Sequence, residues 1–504
     1  MPRRHPLLAE ALVCTALAAA TAGLLAWIAP PGGDLAAHLY QRQLFLRHGF
    51  TFWDNYWYAG RYVFVGYSVI YYPLAAWLGI KLLAVLTVAV SAAAFSALLG
   101  REWGAAARWP GAAFAVLWAG VLVTGEFPFA LGIALALVAL VALQWGRRWI
   151  GAVLIVLTVA ASPVAFVLLV VALVGTRRLR AYVPAAAVAI AAIGELVALL
   201  LFPAGGTLGF PWVEAVEAIA FCVGGIALAW GAERASLLRN VLAVYLAAVL
   251  ASWAVPSGLG HDVARVRFLA LPLVLLLAAL RRWRPLPVVV AAVVLAGAWN
   301  IAPLAAQWTA SDADGSSSAA VWRAPVAWLR AHLRPGYRVE AVDTSQHWPA
   351  WYLAGAGIPI ARGWFRQDDF PFNDVLYHPL TRTGYALWLD RLGVAYVVLT
   401  RFPPDHTARA EAKLVPTFLH RVFATPDVAI YAVPNPDSIV GGGARAVALR
   451  QASIVLDVHS SGDYPIRVRW SPYWHTSAGK LSESDGMLDL KTPARATVRL
   501  WFSP

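Results

Sequence analysis

The stretch RRWIGAVLIVLTVAASPVAFVLLVVALVGTRR, residues 147–178, decides how the chain is threaded. Its apolar interior is long enough for one crossing helix, which needs about 20 residues because lipid offers the backbone no hydrogen-bond partner. A single crossing would put Arg147-Arg148 and Arg177-Arg178 on opposite faces, against the excess of basic residues in cytoplasmic loops. Ser162-Pro163 falls at its centre, and proline lacks the N–H that a continuous helix needs there. Two short helices forming a hairpin keep both clusters, with Arg180, on the cytoplasmic side.

Working outward, further candidate spans are 7–29, 68–99, 109–124, 128–145, 182–203, 212–230, 237–255, 267–280 and 285–307. The hairpin brings the total to about eleven helices, with the N-terminus inside and the C-terminus outside. Arg101, Arg108, Arg234, Arg239, Arg281, Arg282 and Arg284 then all fall inside. The opening segment, Arg3-Arg4 followed by a long apolar core, mimics a signal peptide but reads as an uncleaved first span. A chain that is 60% hydrophobic and 13% charged excludes an ordinary soluble domain. The net charge of +13 is mostly arginine at span ends, which reads as membrane anchoring and not as nucleic-acid binding. Cys14 and Cys222 both lie in apolar runs, so there is no disulfide framework and no thiol metal site.

The polar excursions on the outer side hold the chemistry. Pro30-Pro31-Gly32-Gly33-Asp34 leads into Leu35–Arg47, spaced as an amphipathic helix lying along the membrane. Asp34 reads as its N-cap or first-turn residue, and His38 shares that face four residues on. Trp53, Asp54, Asn55, Trp57, Tyr58, Gly60, Arg61 and Tyr62 follow, then Tyr71-Tyr72-Pro73. Aromatic faces there suit sugar rings or lipid headgroups, or form an interfacial belt. Glu126 sits in a very short turn between spans, at a depth where an ionisable group is costly and often functional. Gly258–Phe268 carries His261, Asp262, Arg265 and Arg267 directly into a span. The two arginines can grip a phosphate, or pair with Asp262 or lipid headgroups. Glu195, within a span, reads as a helix–helix contact without a functional role.

Beyond Trp308 the pattern changes. Ser311–Ser318 is a flexible linker by composition. Val321–Leu333 and Ala386–Leu392 read as helices; Tyr337–Val342, Val394–Leu399, Phe418–Ala424 and Val428–Val433 read as strands. Ser453–Val458, Ile466–Trp470, Met487–Leu490 and Ala496–Phe502 alternate like strands of a small β-sandwich. The expected domains are therefore 1–308 in the membrane, an α/β domain over 309–437 and a β-sandwich over 438–504. Trp470, Tyr473, Trp474 and His475 form a glycan-contact patch or pack the sandwich. No P-loop, dinucleotide fingerprint, nucleophile elbow or zinc spacing occurs.

Together these pieces resemble the GT-C superfamily of membrane glycosyltransferases. The features that carry the resemblance are Gly33-Asp34 in the first outer loop, the Trp-Asp-Asn and Gly-Arg-Tyr stretch, and Tyr71-Tyr72-Pro73. Gly125-Glu126-Phe127 before Leu131-Gly132, the Ser162-Pro163 break and Arg267 at a late span complete them. The resemblance implies a polytopic α-helical membrane domain followed by extracytoplasmic domains, in a bacterial plasma membrane. It implies inverting transfer of a sugar from a polyprenyl-phosphate donor to a glycan, lipid or protein acceptor. Asp34 would be the general base, with Arg265, Arg267 and His261 on the donor phosphate. His38, Asp54 and Glu126 would orient the acceptor or a divalent cation. The first loop has no adjacent acidic pair, so spacing alone does not support a metal site. The rival class is a non-catalytic scaffold that binds glycan or lipid during envelope assembly. A transporter would need a continuous polar path, which the near-absence of charge within the spans disfavours.

Overall fold

Ser162 ends one helix, Arg148–Ala161, and begins the next, Pro163–Gly175, as the hairpin reading requires. Its extended backbone breaks the run, and its hydroxyl accepts from the Ala165 amide at 3.3 Å. A serine N-cap followed by proline at the first helical position satisfies one orphan donor and removes another. The pair packs through Ile155, Leu169 and Leu173 against Ala139, Leu140 and Leu143 of the Phe127–Gln144 helix. Gly132 permits that approach, since a Cβ there would sit 2.6 Å from the Ala165 Cβ.

The computed structural model describes residues 4–203, 206–370 and 372–504; Arg3 lies outside them, and of Arg4 only the backbone is described. The chain divides into two compact units. The first comprises residues 1–32, 66–203 and 207–309, and the second residues 33–65, 204–206 and 310–504.

The first unit is helical. By length and composition, eight of the described helical segments can cross a membrane, and Arg148–Ala161 and Pro163–Gly175 are shorter apolar helices. The longest of the eight, Ile80–Thr124, breaks at Gly104, whose φ is 59°. Its two arms fold back on each other, with Phe95 and Phe114 stacked at 4.1 Å. Counting that break and the short pair gives eleven apolar helices among the described residues, as expected.

Among its described residues the second unit holds an α/β part and a second β part, besides a short antiparallel pairing of Trp53–Asp54 with Arg61–Tyr62. In the α/β part the strand order is Arg338–Ala341, Val394–Thr400, Val428–Ala432, His420–Ala424; the first pair is parallel and the others antiparallel. The remainder has a four-stranded sheet in the order Trp474–Thr476, Ala496–Phe502, Ser453–Val458, Arg445–Arg450. A three-stranded sheet of Lys480–Ser484, Met487–Thr492 and Gly462–Arg469 accompanies it. Alternating buried residues from both sheets, such as Ile454, Leu456, Ile466, Leu488, Val498 and Leu500, make one core, the signature of a sandwich.

Two sequence expectations change. Ser311–Ser318 is no flexible linker: Asp314 is 1% exposed and accepts from the Ser316 and Gln346 amides at 3.0 and 2.9 Å. The Ser316 carbonyl receives Trp322 Nε1 at 2.7 Å. Serine and aspartate are loop-formers by composition, yet here the same groups bond neighbouring backbone and fix the segment. The aromatic loop after Asp34 is likewise not a surface belt. Trp53 is 1% exposed in the sandwich core, stacked on Phe502 at 4.8 Å and edge-on to Trp474 at 5.7 Å. Asn55 donates to the Arg450 carbonyl at 2.8 Å, while Trp57 Nε1 donates to the Ala350 carbonyl at 3.1 Å. Gly60, at φ 112°, lies flat on the Trp53 ring, where a Cβ would come within 2.5 Å. A segment 293 residues upstream of its partner in the α/β part and 395 upstream of one in the sandwich thus clasps both parts of this unit. Trp53→Ala removes a ring from that core and is expected to cost the unit about 3–5 kcal/mol. Thermal unfolding followed by near-ultraviolet circular dichroism checks this: an unchanged transition would show that the loop is a passive guest.

A buried acid pair lies in the α/β part. Glu340 and Glu411 are both fully buried, and Tyr385 donates its hydroxyl to Glu411 at 2.5 Å. Desolvation pushes both carboxyls up, Glu411 to about 7; the neighbouring Glu411 adds to the effect on Glu340, and Arg362 opposes it in both. Both folded values lie above the unfolded one, so the folded unit binds more protons than the unfolded chain. Its stability from this pair is complete below about pH 4.3 and is lost as pH rises through neutrality. Melting temperature should therefore fall between pH 5.5 and 8, and Glu340→Gln should flatten the slope. An equally steep slope in that variant would assign the dependence elsewhere.

Candidate active site and apolar cavity

The turn bearing Glu126 is built by its neighbours. Gly125, at φ 88°, ends the helix Val121–Thr124 in the left-handed conformation glycine tolerates, and Pro128 opens the next helix. Glu126 stands at the N-cap position with no capping hydrogen bond from its side chain. Its carboxylate reaches Arg265 Nη1 at 3.2 Å, and Arg265 Nη2 also donates to Asp262 at 2.8 Å. The guanidinium lies 4.8 Å over the Phe129 ring. Two residues singled out from sequence and 139 positions apart thus meet. Arg267 does not join them: it pairs with Glu214 at 2.9 Å and Glu217 at 3.7 Å. His261 Nδ1 meets the Gly209 carbonyl at 2.9 Å, and its other nitrogen lies 3.8 Å from Asp262.

The 3₁₀ segment Gly260–Leu269 that carries these groups is anchored by residues the sequence reading passed over. Tyr245 donates its hydroxyl to the Val263 carbonyl at 2.8 Å, and Ser252 donates to the Gly260 carbonyl at 2.9 Å. Asn300 accepts from the Leu271 amide at 2.9 Å and donates to the Arg267 carbonyl at 3.1 Å. Polar side chains inside apolar helices were the signal that could have found them.

Behind Arg265 runs a cavity of about 280 Å³, lined almost wholly by apolar side chains. One face of the Phe127–Gln144 helix borders it at Phe129, Ile133, Ala136, Leu137, Leu140 and Gln144. At 1.5 Å per residue that face runs about 22 Å, most of a hydrocarbon core some 30 Å thick. Arg265 marks one end, and Gln144 with Glu102 and Arg178 the other.

Asp34, His38 and Asp54 belong to the second unit. Asp34 holds the N-cap position of Leu35–His48, and its carboxylate makes no capping hydrogen bond. The helix buries Ala36, Ala37, His38, Tyr40, Gln41 and Leu44, and packs on Trp348–Gly355, a helix absent from the sequence reading. Asp54 is fully buried and accepts from the Tyr40 hydroxyl at 2.8 Å and the Tyr56 amide at 3.1 Å. Burial pushes its carboxyl up to about 6, against the pull of those bonds and of Arg61. With that setting Asp54 braces the loop. Among the described residues no three or more His, Cys, Asp or Glu gather as a metal-ligand set. In the sandwich, Trp474 packs the core, while His475 is exposed and stacks on Trp501 at 5.6 Å.

No protein-family model matches the chain, and no curated protein does. Two solved structures of the arabinofuranosyltransferase AftD from mycobacteria are similar in fold, one of them a mutant form. The mutant aligns at a TM-score of 0.49 and 18% identity over 86% of this chain, the other at 0.43 and 17% over 89%. The chain spans 42% and 41% of those proteins' lengths.

Proposed function

We propose that this protein is an inverting glycosyltransferase that moves a sugar from a polyprenyl-phosphate donor to an extracytoplasmic acceptor. The single observation that carries this reading is the long apolar cavity with Arg265 at one end. A polyprenyl phosphate is a long run of methyl-branched apolar units with one anionic head, and the cavity offers an apolar path with a guanidinium at one end. Buried apolar contact supplies affinity along the chain, while charge-assisted hydrogen bonds fix the phosphate. Arg265 is held by Glu126 and Asp262, so a donor phosphate would exchange with a carboxylate for its N–H groups. Arg267 and His261 flank it from the same segment.

In the reaction, Asp34 takes the proton of an acceptor hydroxyl as that oxygen attacks the anomeric carbon. The bond from that carbon to the phosphate oxygen breaks, and Arg265 offsets the charge that develops on the leaving phosphate. A single displacement inverts the anomeric configuration. His38 and Glu126 orient the acceptor and the phosphate ends of this arrangement. A divalent cation, where the enzyme uses one, would further offset phosphate charge. The orientation in which residues 310–504 are extracytoplasmic is supported by the arginine clusters, and a bacterial plasma membrane is what the resemblance implies; both belong to the same proposal, as does the division of the tail near residue 437.

Filling the cavity tests the reading. Leu137→Trp adds a ring to the lining and should weaken binding of polyprenyl phosphate in nanodiscs by about tenfold or more, with the fold intact. Undiminished binding would take the lipid chain out of this cavity.

A further inference from the structure

The segment Asp343-Thr344-Ser345-Gln346-His347 leaves the Arg338–Ala341 strand and enters the Trp348–Gly355 helix. His347 has φ 58° and ψ 25°, the left-handed region a β-carbon disfavours. Several bonds hold it there. Asp314 accepts from the Gln346 amide at 2.9 Å and the Ser345 hydroxyl at 3.3 Å, and the Ser345 amide donates to the Pro403 carbonyl at 2.9 Å. The Asp405 amide donates to the Asp343 carbonyl at 2.9 Å, and the His347 amide to that of Thr344 at 3.1 Å. A non-glycine residue kept in this conformation by so many partners is a reason to look for a function.

The imidazole is equally constrained. Asp343 is hydrogen-bonded to Nδ1, which fixes the ring and leaves Nε2 as the other working nitrogen, on a side chain 13% exposed. Burial opposes the protonated ring, but the Asp343 charge and hydrogen bond with the Asp405 charge outweigh it and raise the pKa. The Arg366 charge opposes the protonated ring, and Arg366 is paired with Asp405 at 2.6 Å. Trp364 stands edge-on to His347 at 6.3 Å and lies 6.5 Å from His38. An aromatic side chain beside a fixed hydrogen-bonding nitrogen is a pairing suited to a sugar, apolar contact on the one and a hydroxyl on the other.

Helix packing sets the level of this group. Gln43 Nε2 and Arg47 Nη1 both donate to the Gly355 carbonyl, at 3.1 and 3.2 Å. His347 precedes Gly355 by eight residues, about 12 Å along a helix. His38 precedes Gln43 by five on the neighbouring helix, and the His38–Trp364–His347 contacts show that the two N-terminal ends point the same way. His347 therefore lies level with the first turn of the helix that Asp34 begins.

We propose that His347, aligned by Asp343 and flanked by Trp364, is an acceptor-side residue that hydrogen-bonds a hydroxyl of the incoming glycan beside Asp34. The assignment of an acceptor rests on the reading of Asp34 as the base. The test uses the full chain in nanodiscs against a panel of arabinan, mannan, galactan and glucan oligosaccharides. His347→Asn is the informative variant, because asparagine enters the left-handed region readily and keeps the backbone. His347→Asn and Trp364→Ala should each weaken the bound glycan by about tenfold, with polyprenyl-phosphate binding unchanged. Wild-type glycan binding in both variants, or no glycan bound by the native chain, would overturn the proposal. Sugar transfer by Asp34→Asn, measured beside them, reports separately on the base. Loss of glycan binding together with undiminished transfer in Asp34→Asn would remove the base and leave the subsite standing.

Discussion

Asp34→Asn should abolish sugar transfer while leaving the fold and donor binding in place. The substitution keeps size and shape, removes the basic oxygen, and touches no capping bond, since the carboxylate makes none. General-base assistance contributes about 100- to 10,000-fold to such reactions, and the loss should appear in kcat with little change in the donor KM. Transfer assays on the purified variant, with a melting curve matching the wild type, measure this. Retention of most activity in a folded variant would move the base to another residue.

The second large effect is expected at Arg265. Arg265→Met keeps much of the side chain's length and apolar stem but deletes the guanidinium that Glu126 and Asp262 share. Removing a donor aimed at developing charge costs about 100- to 1,000-fold, here in kcat over KM for the donor. Lysine in its place should recover only part, because an ammonium does not span two acceptors as a planar fork does. Arg267→Met should do less damage to the cavity mouth, since Arg267 faces Glu214 and Glu217. Equal losses at both arginines would mean that the phosphate lies between them and not at the end of the cavity.

Much of the membrane unit was legible because its rules are one-dimensional. Span length, arginine clusters and Ser162-Pro163 determine helices without reference to distant residues. Glu126 and Arg265 were picked out singly, for depth and for charge. Their pairing was not readable, because nothing local says that a turn at 124–128 meets a segment at 260–269. Arg267 looked equivalent to Arg265 in sequence, and it is the carboxylates of the Trp212–Ala229 helix that give it different surroundings. The loop at 53–62 misled for the same reason. Its aromatics carry the composition of a membrane-surface belt, yet Trp53 is completed by Phe502 at the far end of the chain. Ser311–Ser318 shows the limit of composition itself: the same serines and aspartates make a linker or a pinned turn, depending on whether Gln346, Thr344 and Trp322 are there to meet them. For His347 the sequence offered only Asp343 at i−4, and the left-handed backbone angle that sets the residue apart is not written in its neighbours.

The most direct measurement of the central claim is sugar transfer by the purified protein in proteoliposomes, from labelled polyprenyl-phosphate mannose, arabinose and glucose, with the anomeric configuration of the product read by nuclear magnetic resonance. The account predicts transfer from at least one donor, with inversion, dependent on Asp34 and Arg265. Transfer from none of them, or a product with retained configuration, would contradict it.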